Sequence, residues 1–298
     1  MPELPDVVVY LDAIERDIVG HRIARIDVRG MAVLKSFDPP ISEAHGKTVM
    51  GTRRLGKRLV MELEDDLYLV IHLMIAGRLF WREADVKPGK DGLLVVRFEH
   101  GALLLREVAK KKRARVWLHR GEQAMLDEHD RGGAEPLDID RATFADRLTA
   151  ENRTLKRALT NPRTYSGIGN AYSDEILLRA KLSPVKRTQQ LTDAEIDRLY
   201  EATRVTLQSW LDRMREETGD GWPAKVTAFR PDMLVHGKFR EACSVCGTEV
   251  QRISYASNEV NYCPGCQTDG KILADRSLSR LLKDDWPKTV EEMEGFRA

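Results

Sequence analysis

Residues 167–175 read Gly-Ile-Gly-Asn-Ala-Tyr-Ser-Asp-Glu, a stretch in which a glycine-containing loop leads directly into a helix predicted over Ala171–Lys181. Glycines before a helix start let the backbone approach a ligand closely, and the free amides together with the helix dipole favour an anion there. The side chain of Asn170 either caps this helix or bonds a phosphate oxygen itself. Taken alone, the stretch favours the plainer interpretation, an ordinary capped helix after a tight turn.

The helical pattern extends on both sides of this stretch, from the loop Arg131-Gly132-Gly133 to about Glu217. The longest predicted helix is the clearest one, because Thr192 and Glu195 have the spacing of a capping box and apolar residues then follow one face. The predicted helices are Arg141–Leu148, Leu155–Leu159, Ala171–Lys181 and Asp193–Glu216.

The amino-terminal part of the chain has a different pattern. Apolar residues near the start recur at helical spacing and predict one helix: Val7, Leu11, Ile14 and Ile18. From about Ile23 to Trp117, short apolar runs separated by turn residues predict the hairpins of a sandwich or barrel-like sheet. The predicted strands include Leu59–Leu63, Leu67–Ile75, Leu93–Phe98 and Ala102–Leu105.

The chain has 298 residues, which is enough for roughly two domains. Its 42% hydrophobic residues can form buried cores, and its 32% charged residues favour solubility. It contains no run of about 18 apolar residues that would predict a transmembrane helix. The start, Met-Pro-Glu-Leu-Pro-Asp, lacks the basic and apolar segments of a signal peptide. We therefore expect a cytoplasmic protein without a membrane partner.

Four cysteines form two close pairs, Cys243-Ser-Val-Cys246 and Cys263-Pro-Gly-Cys266, separated by sixteen residues. Two Cys-x-x-Cys knuckles at this spacing are typical of a structural zinc site, and the spacer is long enough for a hairpin. Gly247 and Gly265 suit the two turns. Four thiolates leave no open coordination position, so one Zn²⁺ is expected to hold shape and do no chemistry. Free thiols or a dithiol redox pair are the alternatives.

A basic stripe lies between Arg106 and Arg120 on a chain whose formal net charge is only +1. Such a stripe on a nearly neutral protein is compatible with a phosphate-lined partner. A solvated turn explains it equally well. The stripe contains a single acid, Glu107, and a series of cations: Lys110, Lys111, Lys112, Arg113 and Arg115.

Met1 precedes Pro2, and a small second residue permits removal of the initiator methionine. The nitrogen of Pro2 would then be a secondary amine with a pKa below that of a lysine, able to attack a sugar C1′ and form an iminium. Glu3 lies beside it and could relay protons. Many cytosolic proteins begin with Met-Pro and make no use of it, so this position alone predicts no chemistry.

Taken together, these features resemble the formamidopyrimidine-DNA glycosylase/endonuclease VIII family over residues 1 to about 267. The order and spacing of the shared landmarks agree with that family. The residues that carry the resemblance are Met1-Pro-Glu-Leu-Pro-Asp6, Leu55-Gly-Lys57-Arg58, Ile71-His72-Leu73, Gly133-Ala-Glu-Pro-Leu137, Leu155-Lys156, the stretch 167–175 and the four cysteines.

The resemblance implies an α+β multidomain fold. An N-terminal helix with an antiparallel two-sheet β-sandwich would occupy residues 1–130, and a helical helix–two-turns–helix domain residues 131–236. A β-hairpin zinc finger would follow at 237–268, and a C-terminal tail of unknown role at 269–298. The implied activity is that of a base-excision-repair glycosylase with abasic-site lyase activity. It would act as a monomer, associated with the nucleoid, on damaged double-stranded DNA whose lesion base is flipped into a pocket between the domains.

The same resemblance assigns roles to single residues. Pro2 resembles the family's nucleophile, Glu3 its general acid/base, and Lys57 the lysine that contacts DNA phosphate and assists elimination. The four cysteines resemble the ligands of the zinc finger. The further DNA contacts expected are Lys156, Asn170, Lys112, Arg113 and Asn258.

Departures from the family bear on the substrate. Asn258 stands where the family has a finger arginine, so this phosphate contact is expected to be weaker by about 1–2 kcal/mol. The stretch Lys110–Ala114 replaces Asp-Pro-Arg-Arg-Phe, which keeps an arginine but loses the wedging aromatic, and Ile75 stands near the usual intercalating methionine. The segment Trp222–Val235 is short where the family's longer loop covers 8-oxoguanine.

These departures favour oxidised pyrimidines, formamidopyrimidines or abasic sites over 8-oxoguanine as substrates. The alternative function is a damaged-DNA or abasic-site binding protein with little turnover, whose acidic tail contacts a partner. A zinc-ribbon transcription regulator would explain the cysteines and the basic stripe, but it would explain neither Pro2 and Glu3 nor Lys57.

Overall fold

The computed structural model describes residues 1–224, 226, 230–255, 259–274 and 287–297. Its first element, α1 (Leu4–Asp17), confirms the predicted amino-terminal helix. Pro5 lies in the first turn, where its missing N–H has no helical partner to lose. Val7, Ile14 and Ile18 are fully buried, as the apolar spacing predicts.

Eight strands form two antiparallel four-stranded sheets, which confirms the predicted two-sheet β domain. They are β1 (Arg25–Val28), β2 (Val49–Leu55), β3 (Arg58–Leu63), β4 (Leu67–His72), β5 (Gly77–Arg82), β6 (Gly92–Arg97), β7 (Ala102–Glu107) and β8 (Arg115–Arg120). The strand order is β1-β6-β7-β5 in the first sheet and β2-β3-β4-β8 in the second. Side chains from both sheets and from α1 share one core, which includes Ile14, Leu69 and Leu105.

One strand is shorter than predicted. The apolar run Leu67–Ile75 predicts a single strand, but β4 ends at His72, and the chain turns through Met74, whose φ is +53°, before β5 begins at Gly77. A Cβ at Gly77 would lie 2.4 Å from the carbonyl oxygen of Leu73, so the turn requires glycine there. Periodicity does not reveal such a turn, because the residues that form it are as apolar as the strand.

A helix that the sequence did not predict, α2 (Glu122–His129), covers the second sheet on the side away from the main core. Met125 packs there against Val60, Val70 and Trp117. The apolar pattern of α2 is weak, because Met125 and His129 are its only buried residues. Helical periodicity therefore gave little signal for it.

The four helices predicted in the second half are confirmed, with ends that differ by at most two residues. They are α3 (Arg141–Thr149), α4 (Leu155–Thr160), α5 (Asn170–Arg179) and α6 (Asp193–Thr218). The predicted capping box is present, because N of Thr192 donates to Oε2 of Glu195 at 2.9 Å and N of Glu195 donates to Oγ1 of Thr192 at 3.3 Å.

The predicted hairpin between the cysteine pairs is also present. We call it the finger hairpin; it consists of β9 (Gln251–Ser254) and β10 (Glu259–Tyr262), and α7 (Pro264–Gln267) follows it. In the tail, N of Leu273 donates to the hydroxyl of Tyr262 at 2.7 Å, and Lys271 pairs with Thr289 just before α8 (Val290–Arg297). The spacing of Leu278, Leu281 and Leu282 in the tail predicts a further short helix, and these residues lie outside the described ones.

The chain divides into two compact units. The first comprises Met1–Arg131 and Trp210–Ala228, and the second Gly132–Ser209 and Phe229–Ala298. Helix α6 therefore begins in the second unit and ends in the first. The four-part division predicted from the sequence stays a prediction. Within the described ranges, none of the helices combines the length and the apolar character needed to cross a membrane.

Candidate functional site

The amino-terminal residues are held in place at the start of α1. Pro2 is buried, and Glu3 is only 2% exposed. The backbone N of Glu3 donates to Oδ2 of Asp6 at 2.8 Å as part of a capping box, and Asp6 is itself 1% exposed. Because the helix start is fixed in this way, the segment around Pro2 has a defined position where most chain ends fray.

The structure carries Met1, whose amino group lies among four charged side chains. Burial lowers the pKa of this amino group below its usual value; the carboxylates of Glu3 and Asp6 raise the pKa, and the cations Arg78 and Lys57 lower it. A lower pKa leaves more of an amine uncharged, which is its nucleophilic form. The amino end, Glu3 and Lys57 therefore share one electrostatic neighbourhood, and Arg78 is a further charge there that the sequence did not single out.

Lys57 lies in the tight hairpin between β2 and β3. Leu55 pairs with Arg58, which leaves Gly56 and Lys57 as a two-residue loop, and Gly56 has the φ of +63° that such turns require. Arg58 is half-buried, and burial together with the charge of Arg131 lowers its pKa. The hairpin thus holds two neighbouring cations at a fixed place on the rim of the second sheet.

The basic stripe forms the loop between β7 and β8. Nζ of Lys112 donates to the backbone oxygen of Glu107 and to Oδ1 of Asp91, the latter at 3.1 Å. Lys112, predicted as a DNA contact, is therefore already engaged within the protein. Its DNA contact and that of Arg113 stay predictions. The other cations from Lys110 to Arg115 are exposed: Lys110, Lys111, Arg113 and Arg115.

Two exposed aliphatic side chains lie beside this loop. Ile75, in the turn before β5, is 53% exposed, and Val108, directly after β7, is 73% exposed. Gly77 of β5 pairs with Glu107 of β7, so both side chains lie at the same end of this strand pair. Ile75 is thus an exposed apolar tip next to cations. Val108 is a second one, which the sequence did not indicate.

Asn170 is the first residue of α5 and does not cap it. The N-cap is Gly169, and Gly167 has a φ of +82°, a value that glycine adopts without strain. Nδ2 of Asn170 donates to the backbone oxygen of Glu259 on β10 at 2.9 Å. The interpretation of Asn170 as a helix cap is therefore wrong, because its side chain joins the helix start to the finger hairpin. Its contact with a phosphate stays a prediction.

Lys156, predicted as a phosphate ligand, lies in the interior of the second unit and is 8% exposed. Its Nζ donates to Oδ1 of Asp174, whose side chain is fully buried, and to the backbone oxygen of Asn170 at 2.6 Å. Two of its three N–H donors thus have intramolecular acceptors. The phosphate contact stays a prediction and would use the remaining donor.

Two adjacent carboxylates on α5 organise this interior, and the sequence gave them no role. Asp174 contacts Nδ1 of His236 at 2.8 Å and accepts from N of Asn261 at 3.2 Å. Glu175 accepts from the backbone N–H groups of residues 234–236, and burial raises its pKa despite these bonds. Together they join α5 to the segment before the cysteines and to β10. Their sequence signal is an Asp-Glu pair inside an otherwise apolar helix.

The four cysteines form one cluster in the second unit. All four Sγ atoms lie within 4.8 Å of one another, with Cys243 and Cys266 at 4.0 Å and Cys246 and Cys263 at 3.4 Å. Four sulfurs placed tetrahedrally at about 2.3 Å from a Zn²⁺ lie about 3.8 Å apart, so the cluster fits such an ion. Gly265 is needed in the second turn, because a Cβ there would lie 2.5 Å from a neighbouring threonine hydroxyl.

A second group of potential metal ligands joins α2 to the second sheet. Nε2 of His119 and Nε2 of His129 lie 2.9 Å apart, and Glu128 is 3.8 Å from His119. Burial lowers the pKa of both imidazoles, and for His129 burial together with the charges of Arg58 and Arg131 lowers it to about 3. The same positive charges disfavour a bound cation. We therefore interpret the pair as two neutral imidazoles sharing one hydrogen bond.

Asn258 lies outside the described residues, so its weaker phosphate contact stays a prediction. A cation on the described part of the finger hairpin is Arg252. Its guanidinium lies 4.3 Å from the ring centre of Phe239 and 3.3 Å from a carboxylate oxygen of Glu259. The charge of Arg252 is therefore partly engaged within the finger.

Comparison with known proteins gives matches over most of the chain. Residues 1–116 match the formamidopyrimidine-DNA glycosylase N-terminal domain, and residues 133–219 match the formamidopyrimidine-DNA glycosylase H2TH domain. The formamidopyrimidine-DNA glycosylase of Lactococcus lactis subsp. cremoris is 31% identical over 277 residues, covering 90% of this chain and 99% of the relative. An uncharacterised formamidopyrimidine-DNA glycosylase-like protein of Mycobacterium tuberculosis is 39% identical over 151 residues, covering 51% of this chain and 94% of the relative.

Solved structures agree with these matches. The Lactococcus lactis Fpg in complex with abasic-site DNA has a TM-score of 0.78 and 30% identity, covering 89% of this chain and 99% of that one. MutM in complex with DNA containing carbocyclic 8-oxo-G has a TM-score of 0.77 and 29% identity, covering 90% and 100%. The predicted fold is therefore confirmed. The chain belongs to the formamidopyrimidine-DNA glycosylase/endonuclease VIII family, and it is a DNA-binding glycosylase of DNA repair.

Proposed function

We propose that this glycosylase is also an abasic-site lyase that works through a Schiff base on Pro2. The arrangement of the amino end supports this most: the helix start is held by Asp6, Glu3 is adjacent, and the charge of Lys57 acts on the terminal amine. At the amino group of Met1, burial outweighs the opposing carboxylates of Glu3 and Asp6 and lowers the pKa. After removal of Met1, the nitrogen of Pro2 would be a secondary amine, and the same burial would favour its uncharged, nucleophilic form.

The reaction proceeds in steps that these groups can serve. The nitrogen of Pro2 attacks C1′, the glycosidic bond breaks, and the base leaves with the bonding electrons and a proton. Opening of the sugar ring gives the iminium, and the proton lost from the amine passes to O4′. Abstraction of a proton from C2′ expels the 3′ phosphate, and a second elimination expels the 5′ phosphate. Glu3 carries protons between these atoms, and Lys57 holds a DNA phosphate and assists elimination.

Further phosphate contacts are assigned to cations and amides of both units. In the second unit, the helix start at Asn170 favours an anion, and the remaining N–H of Lys156 can donate to it. In the first unit, Lys112 and Arg113 belong to the loop after β7, and Asn258 would contribute a neutral hydrogen bond from the finger. All of these contacts fix the position of the duplex and read no sequence.

The preferred lesion is proposed to be an oxidised pyrimidine, a formamidopyrimidine or a bare abasic site. Solved relatives hold abasic-site DNA and Fapy-dG DNA, and one holds 8-oxo-G DNA. In this chain, Trp222 stacks on Trp81 at 5.6 Å between ring centres, and Val226 is 1% exposed in the sandwich core. Val235 is fully buried in the second unit. The preference against 8-oxoguanine rests on the sequence, in which the segment Trp222–Val235 is shorter than the family's covering loop.

The metal of the cysteine cluster is proposed to be one structural Zn²⁺ per chain, because four thiolates suit zinc and fill its tetrahedral shell. The expected result of chelation is loss of one zinc per chain together with loss of finger structure and DNA binding, measured by metal analysis, circular dichroism and duplex titration. Unchanged folding and binding after complete zinc removal would contradict the assignment. We propose that the active form is a monomer, which sedimentation with and without DNA tests.

Borohydride trapping on abasic-site DNA tests the lyase. The native chain is expected to form a covalent complex, and Pro2→Gly to abolish or sharply weaken it. Pro5→Ala, which replaces the neighbouring proline in the first turn of α1, is the control and should retain it. Intact mass must show loss of Met1, because a retained methionine leaves Pro2 as an amide and contradicts the mechanism. Tight, salt-sensitive binding to abasic DNA without any trapped complex would favour the damaged-DNA binding protein. A panel of single-lesion duplexes, scored separately for base release and nicking, identifies the substrate.

A further inference from the structure

Glu107 is the single acid of the basic stripe, and it is buried. It ends β7, and its side chain is 1% exposed. Its Oε2 accepts hydrogen bonds from N of Arg113 at 2.7 Å and from N of Ala114 at 2.9 Å, while its backbone oxygen accepts from Nζ of Lys112. We call the segment 108–113 the basic loop. Glu107 directly precedes it, and its side chain bonds the backbone at the far end of it, so this one residue holds both ends together.

Burial of this carboxylate is unfavourable by itself. Its Oε1 is buried and has no hydrogen-bond partner among the described residues. The preceding part of β7, Ala102–Leu105, is wholly apolar, so an apolar side chain at 107 would pack there without the loss of hydration. The unfavourable burial of this carboxylate is compensated by its interactions with the basic loop. Its four consecutive cations, 110–113, repel one another, and Glu107 with Asp91 supplies opposite charge. Their oxygens also accept from Nζ of Lys112 and from the backbone N of Arg113.

We propose that Glu107 is a positioning residue, which holds the basic loop in the conformation that meets DNA phosphates. The exposed cations Lys110, Lys111 and Arg113 then form an array that is ordered before DNA binds, so binding does not have to order it. Glu107 itself contacts neither the substrate nor the reacting atoms. This inference rests on the proposed function, since it needs a duplex that the loop contacts.

Binding to a duplex that carries a tetrahydrofuran abasic-site analogue, measured over a range of salt concentrations, tests the role. Glu107→Met removes both acceptors at similar volume, and Glu107→Gln keeps one oxygen for the two N–H groups. Glu99→Gln removes the same charge from an exposed turn and is the matched control. For Glu107→Met we expect a Kd for this duplex about tenfold higher and a salt slope flatter by roughly one to three, at about 0.9 per phosphate. On a cleavable duplex with a natural abasic site, we expect a KM about tenfold higher. We expect kcat within about twofold, a smaller effect for Glu107→Gln, and none for Glu99→Gln.

A cycle with the triple change Lys110→Ala, Lys111→Ala and Arg113→Ala separates positioning from general damage to the fold. If Glu107 acts through the loop, Glu107→Met changes the Kd less than twofold once these cations are gone. Should Glu107→Met not fold, Glu107→Gln takes its place in the same cycle. An equal effect in both backgrounds, or a fall in kcat at unchanged KM, overturns the inference. Failure of the native chain to bind the duplex overturns the proposed function and this inference with it, whereas an unaltered Kd in the Glu107 variants overturns this inference alone.

Discussion

Replacing Asp174 with asparagine removes the negative charge at the centre of the second unit. The Asp174 side chain is fully buried and contacts Nζ of Lys156, Nδ1 of His236 and N of Asn261. An asparagine keeps one acceptor oxygen but places an NH₂ group where the other oxygen accepted, so donors face donors. Lys156 then remains as a buried ammonium that retains the backbone oxygen of Asn170 but has lost its counter-ion.

The expected magnitude follows from this burial. Removing one partner of a buried ion pair costs about 3–5 kcal/mol, because the charge left behind has neither water nor a counter-ion. The Lys156 side chain is 10% exposed, so water reaches little of it, and the full range applies. At about 1.4 kcal/mol for each factor of ten, the local opening equilibrium around α5 and the finger hairpin shifts by roughly two to four orders of magnitude.

Amide hydrogen exchange with mass-spectrometric detection measures this shift. The N–H groups of residues 234–236 bond to Glu175, next to Asp174, and their peptide should exchange about 100-fold to 10,000-fold faster in Asp174→Asn. Asp146→Asn, on the exposed face of α3, is the control and should change nothing. Adding Lys156→Met removes the unpaired charge and should restore part of the protection. An acceleration below about tenfold, or a double variant as labile as the single one, would refute the reasoning.

Three further predictions concern the first unit. Burial lowers the pKa of His129 to about 3, so below about pH 6.5 the unfolded chain binds a proton that the folded chain does not. The free energy of unfolding should therefore fall by up to about 1.4 kcal/mol for each pH unit of acidification. Urea titrations at several pH values should show a shallower pH dependence for His129→Gln. A Cβ on Gly101 would lie 2.2 Å from the Trp81 ring, so Gly101→Ala should lower the free energy of unfolding by about 1–3 kcal/mol in denaturant titrations. Gly30→Ala is the control and should be nearly neutral, because a Cβ on Gly30 would lie 3.5 Å from its nearest neighbouring atom. Lys111→Ala should weaken binding to all duplexes similarly and flatten the salt slope by about one, and a lesion-selective loss would contradict its role as a phosphate contact.

The features predicted correctly from the sequence have signals confined to a few neighbouring residues. The capping box of Thr192 and Glu195 sets the start of α6 through contacts three residues apart. The two Cys-x-x-Cys pairs need only their own turns and one hairpin to bring four sulfurs together. The prediction missed α2 because its apolar pattern is weak. It extended β4 too far because the apolar run continues past His72, where the strand ends.

The sequence predicted which residues belong to the candidate site better than it predicted the contacts that their side chains make. The sequence indicated Pro2, Glu3 and Lys57, and the structure adds the charge of Arg78, which comes from a strand far along the chain. It also indicated Lys156 as a phosphate ligand; the structure shows this side chain mostly buried, and its contact with DNA stays a prediction. The charge of a lysine is evident from its residue type, but which carboxylate it meets depends on the packing of α4 against α5, and no spacing within the chain encodes that.

The basic stripe shows why the number of cations in a sequence does not give the number of phosphate contacts that they make. In the sequence, Lys110 to Arg113 are four equivalent cations, and their sum would suggest four phosphate contacts. In the folded chain all four are exposed, but Lys112 is paired with Asp91 and with the backbone of Glu107, whereas among the described residues the other three side chains form no ion pair. A cation already bonded to a carboxylate releases fewer counterions on binding DNA, so the salt slope should follow the three cations outside this ion pair and not the total of four. The carboxylate that makes this distinction belongs to Asp91, which lies outside the stripe and would not enter a count of its charges.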